Sequence, residues 1–178
     1  LDGEVVEAKK GESVLTSYAT LETANTADGA FGYIARNGGT LNHKGTIDFD
    51  QSDSTGVLIS GGTLNNDGDI QVNGVAVNIQ GADSVVNNSA TVSATDGTAA
   101  YLVESDATLN LTGEGQTSAD GTAHAILLAS GAKGLVVDGA TITMAAGGSG
   151  NAIENQANLV GIQLKETHIT VGNGIGVH

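Results

Sequence analysis

Two stretches of this sequence repeat each other and decide its fold: GGTLNHKGTIDFD at residues 38–50 and GGTLNNDGDIQVN at residues 61–73. A third stretch, DSVVNNSATVSAT at 83–95, keeps the pattern, and DATLNLTGEGQTS at 106–118 keeps its first half. One apolar position recurs every 22 or 23 residues, at Leu41, Leu64, Val86 and Leu109. A second lies six residues later, at Ile47, Ile70 and Val92, and Ile142 and Ile169 continue this series. Such a period indicates a solenoid, in which each repeat adds one layer to a continuous core.

Each repeat divides into three short strands. Pairs of the type x-Gly mark one turn per repeat, at 28–29, 55–56, 73–74, 96–97, 120–121, 149–150 and 173–174. Apolar runs such as GVLIS and GVAVNI follow these turns, and alternating stretches such as TIDF at 46–49 precede them. Strict alternation indicates a strand with one buried and one solvated face. Glycine and β-branched residues disfavour helices, and only GESVLTSYATLETA at 11–24 offers a helical turn as an alternative.

These features predict an all-β fold, a right-handed parallel β-helix with about three short strands per coil and roughly six to seven coils. We expect the repeats to occupy residues 28–178, and residues 1–27 to form an N-terminal extension, a first coil or a cap. The coil at 106–130 is irregular, because TGEGQTSAD offers no apolar pair for its middle strand. We therefore expect a bulge or an outward loop in that coil.

The composition excludes several classes of function. Six basic residues against twenty acidic ones, a net charge of -14, argue against binding to nucleic acid or to anionic lipid. No stretch approaches the ~18 apolar residues of a membrane helix, and no signal-peptide pattern opens the sequence. The absence of cysteine excludes disulfides, thiolate metal sites and cysteine nucleophiles. With aromatic residues at 3%, the core must consist mainly of Val, Ile, Leu and Ala in thin layers.

Two sets of polar residues recur with the coil period. The first is predicted to form a hydrogen-bonded ladder of side-chain amides at one corner, and comprises Asn42, Asn65, Asn87 and Asn110. The second is predicted to form an outward column on a solvated strand, and comprises Thr46, Asp69, Thr91, Thr141 and His168.

The candidate catalytic residues are few. Asp48, Asp50 and Asp53 form the densest acidic cluster, and Asp67 and Asp69 follow on the next coil. Paired carboxylates can perform acid–base chemistry or bind calcium, but no basic or aromatic sugar platform accompanies them. We interpret the cluster as a solvated face of an acidic protein.

The histidines lack metal-ligand spacing, and we interpret all four as surface or turn residues: His43, His124, His168 and His178. We therefore predict no catalytic, metal or cofactor-binding residue and no cofactor.

The GTLNNxGxI unit, the x-Gly turns, the richness in Thr, Asn, Gly and Val and the absence of cysteine resemble the passenger domains of bacterial autotransporters, the type V secreted proteins of Gram-negative envelopes. The resemblance covers about residues 28–178. It implies a right-handed β-helix at the cell surface, tethered to the outer membrane by a C-terminal barrel outside this stretch, which would be a fragment of a longer passenger. The roles it implies are adhesion, self-association, biofilm formation and virulence. The implied partners are a host-surface or matrix protein, a glycan, or other copies of the chain.

Three functions follow from these observations. We favour a non-enzymatic surface adhesin segment, because a long repetitive polar face carries no catalytic constellation. A polysaccharide-processing enzyme, or its binding remnant, is a second hypothesis, which rests on fold analogy and on Asp48, Asp50 and Asp53. A structural spacer stalk is the third, because the repeats are regular and poor in aromatic residues.

Overall fold

The computed structural model describes residues 6–9, 13–23, 30–104, 106–159 and 161–178. Its strands, in chain order, are β1 (Val6–Lys9), β2 (Val14–Ser17), β3 (Thr20–Glu22), β4 (Phe31–Arg36), β5 (Thr40–His43), β6 (Thr46–Ser60), β7 (Thr63–Asn66), β8 (Asp69–Gln80), β9 (Val85–Asn88), β10 (Thr91–Thr95), β11 (Ala99–Val103), β12 (Thr108–Thr112), β13 (Gln116–Asp120), β14 (His124–Leu128), β15 (Gly134–Asp138), β16 (Thr141–Met144), β17 (Ile153–Asn155), β18 (Gln163–Lys165) and β19 (His168–Thr170). The described part of the chain therefore confirms the all-β class, and in residues 13–23 of the stretch 11–24 the strands β2 and β3 replace the helical alternative. It contains no helix long and apolar enough to cross a membrane.

The strands stack in parallel into three faces. Face 1 consists of β1, β4, the second parts of β6 and β8, β11, β14 and β17. Face 2 consists of β2, β5, β7, β9, β12, β15 and β18. Face 3 consists of β3, the first parts of β6 and β8, β10, β13, β16 and β19. The chain visits the three faces in turn and makes about six turns, which confirms the parallel β-solenoid. Its right hand stays a prediction.

Columns of inward side chains fill the interior, one layer per tier. On face 3 the column contains Leu21, Ile47, Ile70, Val92, Thr117, Ile142 and Ile169. This column confirms the predicted isoleucine and valine series. Thr117 occupies the tier between Val92 and Ile142, for which no apolar residue was predicted. On face 1 the equivalent column contains Tyr33, Val57, Val77, Tyr101, Ile126 and Ile153. Each tier thus buries several apolar side chains, and this burial supplies the main stabilisation of the stack.

The prediction of a bulge or an outward loop within 106–130 is wrong for the middle strand of that coil. Strand β13 pairs with β10 and with β16 without any shift of register. Its inward side chains, Thr117 and Ala119, are small, as the sequence indicates. Tyr101, in the preceding strand β11, is the largest fully buried side chain among the described residues, and its hydroxyl lies at the small side chain of Thr117.

Strand β12 stacks two residues away from the register that the repeat predicts. Leu111 pairs with Val86 and Thr112 pairs with Asn87, whereas the repeat alignment assigns these places to Leu109 and Asn110. Both leucines of TLNLT point inward and are fully buried. A shift of two residues therefore keeps every side chain on its face, and the sequence pattern alone does not distinguish the two registers.

The predicted amide ladder forms on the outer side of face 2, in the middle of the strands rather than at a corner. The Nδ2 of Asn65 donates to the Oδ1 of Asn42 at 2.8 Å, and the Nδ2 of Asn87 donates to the Oδ1 of Asn65 at 2.7 Å. The ladder ends in hydroxyl groups, because Asn42 donates to Thr16 at 3.2 Å and Thr112 donates to Asn87 at 2.8 Å. Asn110 was predicted as the fourth member, and the register of β12 gives that place to Thr112.

The corner between faces 3 and 1 needs glycine because the backbones of successive coils come very close there. A Cβ on Gly97 would lie 2.3 Å from the backbone nitrogen of Gly74. Among the described glycines of the predicted x-Gly turns, only Gly121 has a positive φ, of 60°. Glycine is therefore needed at these turns mainly because the backbones of neighbouring coils come too close for a Cβ, and less because of a left-handed backbone conformation. The pair Asp28-Gly29 lies outside the described residues.

Candidate interaction face

The outward side of face 3 carries a continuous column of polar side chains at the first position of each strand. From the first tier to the last they are Thr20, Thr46, Asp69, Thr91, Gln116, Thr141 and His168. The pairing confirms the predicted alignment of the five residues named from the sequence. Thr20 and Gln116 were not predicted, and they complete the column.

A second outward column runs beside the first, two residues further along each strand. Its members are Glu22, Asp48, Gln71, Ser93, Ser118, Thr143 and Thr170. Sequence reasoning missed this column, although its signal is the same alternation that revealed the first. The two columns together are called the polar array below. Its side chains are about 4.8 Å apart between tiers and about 6.6 Å apart along a strand.

The chemistry of the polar array is uniform. Each side chain carries a hydroxyl, amide, carboxylate or imidazole group, and none is aliphatic or belongs to Phe, Tyr or Trp. Face 1 differs, because its outward column contains apolar residues, Ile34, Leu58, Leu102 and Leu127, beside the polar residues Asn78 and Glu154. Face 2 also has an outward polar column, but its amide groups bond to one another in the ladder. The array is therefore the face on which two adjacent columns present hydrogen-bonding groups in every tier.

Much of the hydrogen-bonding capacity of the array is unused within the protein. The side-chain hydroxyls of Ser118, Thr141 and Thr143 make no hydrogen bond to any described residue, and all three are partly exposed. Two members do have internal partners: Asp69 accepts from the Thr91 amide at 3.1 Å, and Ser93 donates to the Ile70 carbonyl at 3.4 Å. The free hydroxyls lie in neighbouring tiers of β13 and β16, where a ligand can bind them together.

The acidic cluster of IDFDQSD divides between this face and a bulge. Asp48 belongs to the polar array and pairs with Gln71, whereas Asp50 and Asp53 are exposed. The register of β6 against β8 shifts between Phe49 and Ser54, so that residues 50–53 form a bulge at the corner between faces 3 and 1. Asp53 lies in the left-handed region, with φ of 63°. The strand thus does not hold the three carboxylates on one surface.

The neighbouring carboxylate Asp67 is part of a surface ion pair on another corner. It contacts the Lys44 ammonium at 2.9 Å and accepts a hydrogen bond from the Ser89 hydroxyl at 2.7 Å. The bond from Ser89, followed by the bond from Lys44, lowers the pKa of the Asp67 carboxyl below its usual value. Asp67 therefore serves the contacts between coils and does not join Asp48. Among the residues that the structure describes, no group of three His, Asp or Glu side chains is placed to hold a metal ion.

Two shallow cavities lie beside the faces. A cavity of about 130 Å³ borders the bulge and is lined by Phe49, Asp50, Gln71, Val72, Asn73 and Thr95. A wider depression of about 570 Å³ lies at the corner between faces 1 and 2 and is lined by Ala82, Asp83, Ser84, Val85, Asp106, Thr108, Asn110 and Lys133. In the second, Lys133 and Asp106 form an exposed ion pair at 3.4 Å.

The prediction that His43 lies at the surface is wrong. Its side chain is fully buried, in an inward column with Ser17, Asn66 and Asn88 at the corner between faces 2 and 3. Its ring lies 5.8 Å from that of Tyr33. Burial lowers the pKa of the His43 imidazole below its usual value of 6.5. The sequence does contain a signal for this burial. The second Asn of each Asn-Asn pair, Asn66 or Asn88, occupies the inward position equivalent to His43.

The other histidines lie toward the last tiers. His168 is exposed at the end of the polar array, and His178 contacts Glu154 at 2.9 Å. His124 is half-buried, and its Nδ1 accepts a hydrogen bond from the Asn151 amide at 3.0 Å. Burial lowers the pKa of His124. None of these positions brings a nucleophile or a metal ligand set together within the described residues.

Comparison of the chain with protein families, with curated proteins and with solved structures finds no match.

Proposed function

We propose that this chain is a binding segment of a non-enzymatic adhesin at the bacterial cell surface. The observation that carries the proposal is the polar array, which presents two rows of hydrogen-bonding side chains over seven tiers of the solenoid. Binding through such a face would be distributed over many weak contacts, and many contacts to one surface raise the overall avidity.

The resemblance of the repeats to autotransporter passengers supports the location that we propose. The segment would stand outside the cell, secreted as part of a longer passenger and anchored in the outer membrane by a C-terminal barrel. Its net charge of -14 keeps copies apart in solution. Adhesion to host surfaces or matrix, and between cells in a biofilm, are the roles that fit this location.

The proposal is tested with beads that carry the chain. Retention is measured on cultured host cells, on immobilised matrix proteins and on beads that carry the chain itself. The array variant is Ser118→Lys with Thr143→Lys, two outward positions in adjacent tiers of face 3. The matched control is Thr40→Lys with Thr63→Lys, two outward positions in adjacent tiers of face 2.

We expect the wild type and the control to be retained on at least one surface, and the array variant to lose about tenfold or more of its binding, because two contacts of about 1 kcal/mol each are replaced. Circular dichroism confirms that each variant is folded. Equal retention of both variants would show that the array does not bind. Absence of retention on every surface would refute the adhesin.

The two alternatives predict different results. For a polysaccharide-processing enzyme, the chain would release new reducing ends from a polysaccharide, and replacing Asp48, Asp50 and Asp53 by Ala would abolish this turnover. For a spacer stalk, replacing these coils in the longer protein by a spacer of equal length would leave adhesion unchanged. Adhesion that is lost despite the equal-length spacer supports the adhesin.

A further inference from the structure

We propose that the ligand of the polar array is a neutral linear polysaccharide, bound along the axis of the solenoid and across its tiers. This inference rests on the proposed function and names the chemical class of its partner. Three properties of the array carry it: the lack of apolar anchors, the sign of its charge, and its regular spacing.

The lack of apolar anchors argues against a protein partner, and it means that hydrogen bonds, rather than stacking on aromatic rings, would hold a sugar chain. The centres of protein–protein interfaces are enriched in aromatic residues and arginine, which fill pockets on the partner and dominate the binding energy. The polar array contains none of these residue types. A peptide that adds a strand would bind at an open sheet edge, whereas the array lies on the flat side of the sheet, where the backbone groups are already paired.

The shape of the face points to an extended ligand. Pockets for small molecules are concave and usually have volumes of about 300–1,000 Å³. The cavity that borders the array has only about 130 Å³ and involves one array residue, Gln71. A ligand of the array must therefore gain its affinity from contacts spread over several tiers, as a polymer does.

The charge of the array selects a neutral polymer. Glu22, Asp48 and Asp69 place three carboxylates in the first three tiers, and the array contains neither lysine nor arginine. The whole chain carries a net charge of -14. Uronate-rich or sulfated chains would be repelled at close range, and they would find no cation to pair with.

The spacing of the array fits a polymer of sugars. Equivalent side chains recur at about 4.8 Å from tier to tier, which is close to the length of one sugar in an extended chain. The hydroxyls of Ser118, Thr141 and Thr143 have no described protein partner and lie in two adjacent tiers. They can donate to and accept from successive sugar hydroxyls, and each further tier repeats such contacts.

Affinity electrophoresis of the folded chain tests the inference directly. The gels contain a neutral polysaccharide (hydroxyethylcellulose, galactomannan or dextran) or an anionic one (alginate or heparin). The array variant is Ser118→Ala with Thr143→Ala, and the matched control is Thr40→Ala with Thr63→Ala. We expect at least one neutral polysaccharide to retard the wild type and the control, and the array variant to bind about tenfold more weakly. Added salt should leave the retardation unchanged, because no ion pair forms.

Three outcomes would overturn the inference: no neutral polysaccharide retards the chain, an anionic one retards it equally well, or the array variant binds like the wild type. The bead assay separates this failure from that of the proposed function. If beads adhere through the array but neutral polysaccharides do not bind, the adhesin stands and its partner is a protein or another copy of the chain. Mild periodate oxidation of the target cells, which cleaves sugar diols, should abolish adhesion if the inference is correct.

Discussion

Acidification should destabilise the coils around His43. The imidazole is fully buried, and neither ring nitrogen has a hydrogen-bond partner. It is enclosed by the Ser17 hydroxyl, the Tyr33 ring, the Asn66 amide and the segment at Asp69. Burial lowers the pKa of His43, while the backbone and charge of Asp69 act in the opposite direction to a smaller extent. At pH values below 6.5, the His43 imidazole is therefore protonated more readily in the unfolded chain than in the folded chain.

The sign and the limit of the effect follow from proton linkage. Stability rises with pH wherever the unfolded state binds more protons, so the contribution of His43 is fully present above pH 6.5 and is lost as the pH falls below it. Each pH unit over which the folded state stays unprotonated costs about 1.4 kcal/mol. At pH 5 the loss from this residue is therefore at most about 2 kcal/mol.

The variant His43→Asn isolates this contribution. Asparagine continues the inward amide column, in which Asn66 donates to Asn88 at 2.8 Å, and it can donate to the unpaired Oδ1 of Asn66. Urea unfolding is followed by far-ultraviolet circular dichroism at several values between pH 8 and pH 5. His124 also has a pKa lowered by burial, so the matched control is His168→Asn, which replaces an exposed histidine.

We expect the wild type and His168→Asn to lose more stability between pH 8 and pH 5 than His43→Asn does, by up to about 2 kcal/mol. Hydrogen exchange at pH 5 should be faster in β5 and β7 of the wild type than in those strands of His43→Asn. If the stability of the wild type and of His43→Asn fell in parallel over this range, the histidine would not be protonated with unfolding, and the reasoning would be refuted.

Other predictions concern stacking between coils. Asn65 donates to one neighbour and accepts from the other in the outer amide ladder, so Asn65→Ala should lower the free energy of unfolding by about 1–2 kcal/mol in urea titrations; an unchanged midpoint would show that water replaces the ladder. Gly97→Ala places a Cβ 2.3 Å from the backbone of Gly74, and we expect a loss of about 3 kcal/mol or more, or failure to fold. Gly147→Ala is the control, because a Cβ there meets nothing within 4 Å, and its thermal midpoint should stay within the range of ordinary surface changes.

Much of the fold was predictable because one inward position repeats in every tier. Ile47 and Ile70 occupy equivalent sites in equivalent layers, so the period in the sequence is the period of the stack. The register of β12 was not predictable, because Leu109 and Leu111 are two residues apart and either one satisfies the alternation. Similarly, the pattern could not show that Tyr101 on one face allows small side chains on another.

The candidate site was predictable in part. The column through Thr46 and Thr141 was found because its members are chemically alike and in phase. The burial of His43 was not predicted. A histidine in a polar segment does not reveal whether its side chain points inward or outward unless it is aligned with Asn66 and Asn88. The ligand class that we propose rests on the array as a whole, which only the stacked structure reveals.

The bulge at residues 50–53 has a consequence for engineering this solenoid. The strand pairing resumes on the far side of the extra residues, with Thr55 opposite Val75, so the corner absorbs added length without disturbing either sheet. The same site should therefore accept a short foreign peptide, such as an epitope or a protease site. The solenoid would then display that peptide beside the polar array at a fixed height along its axis.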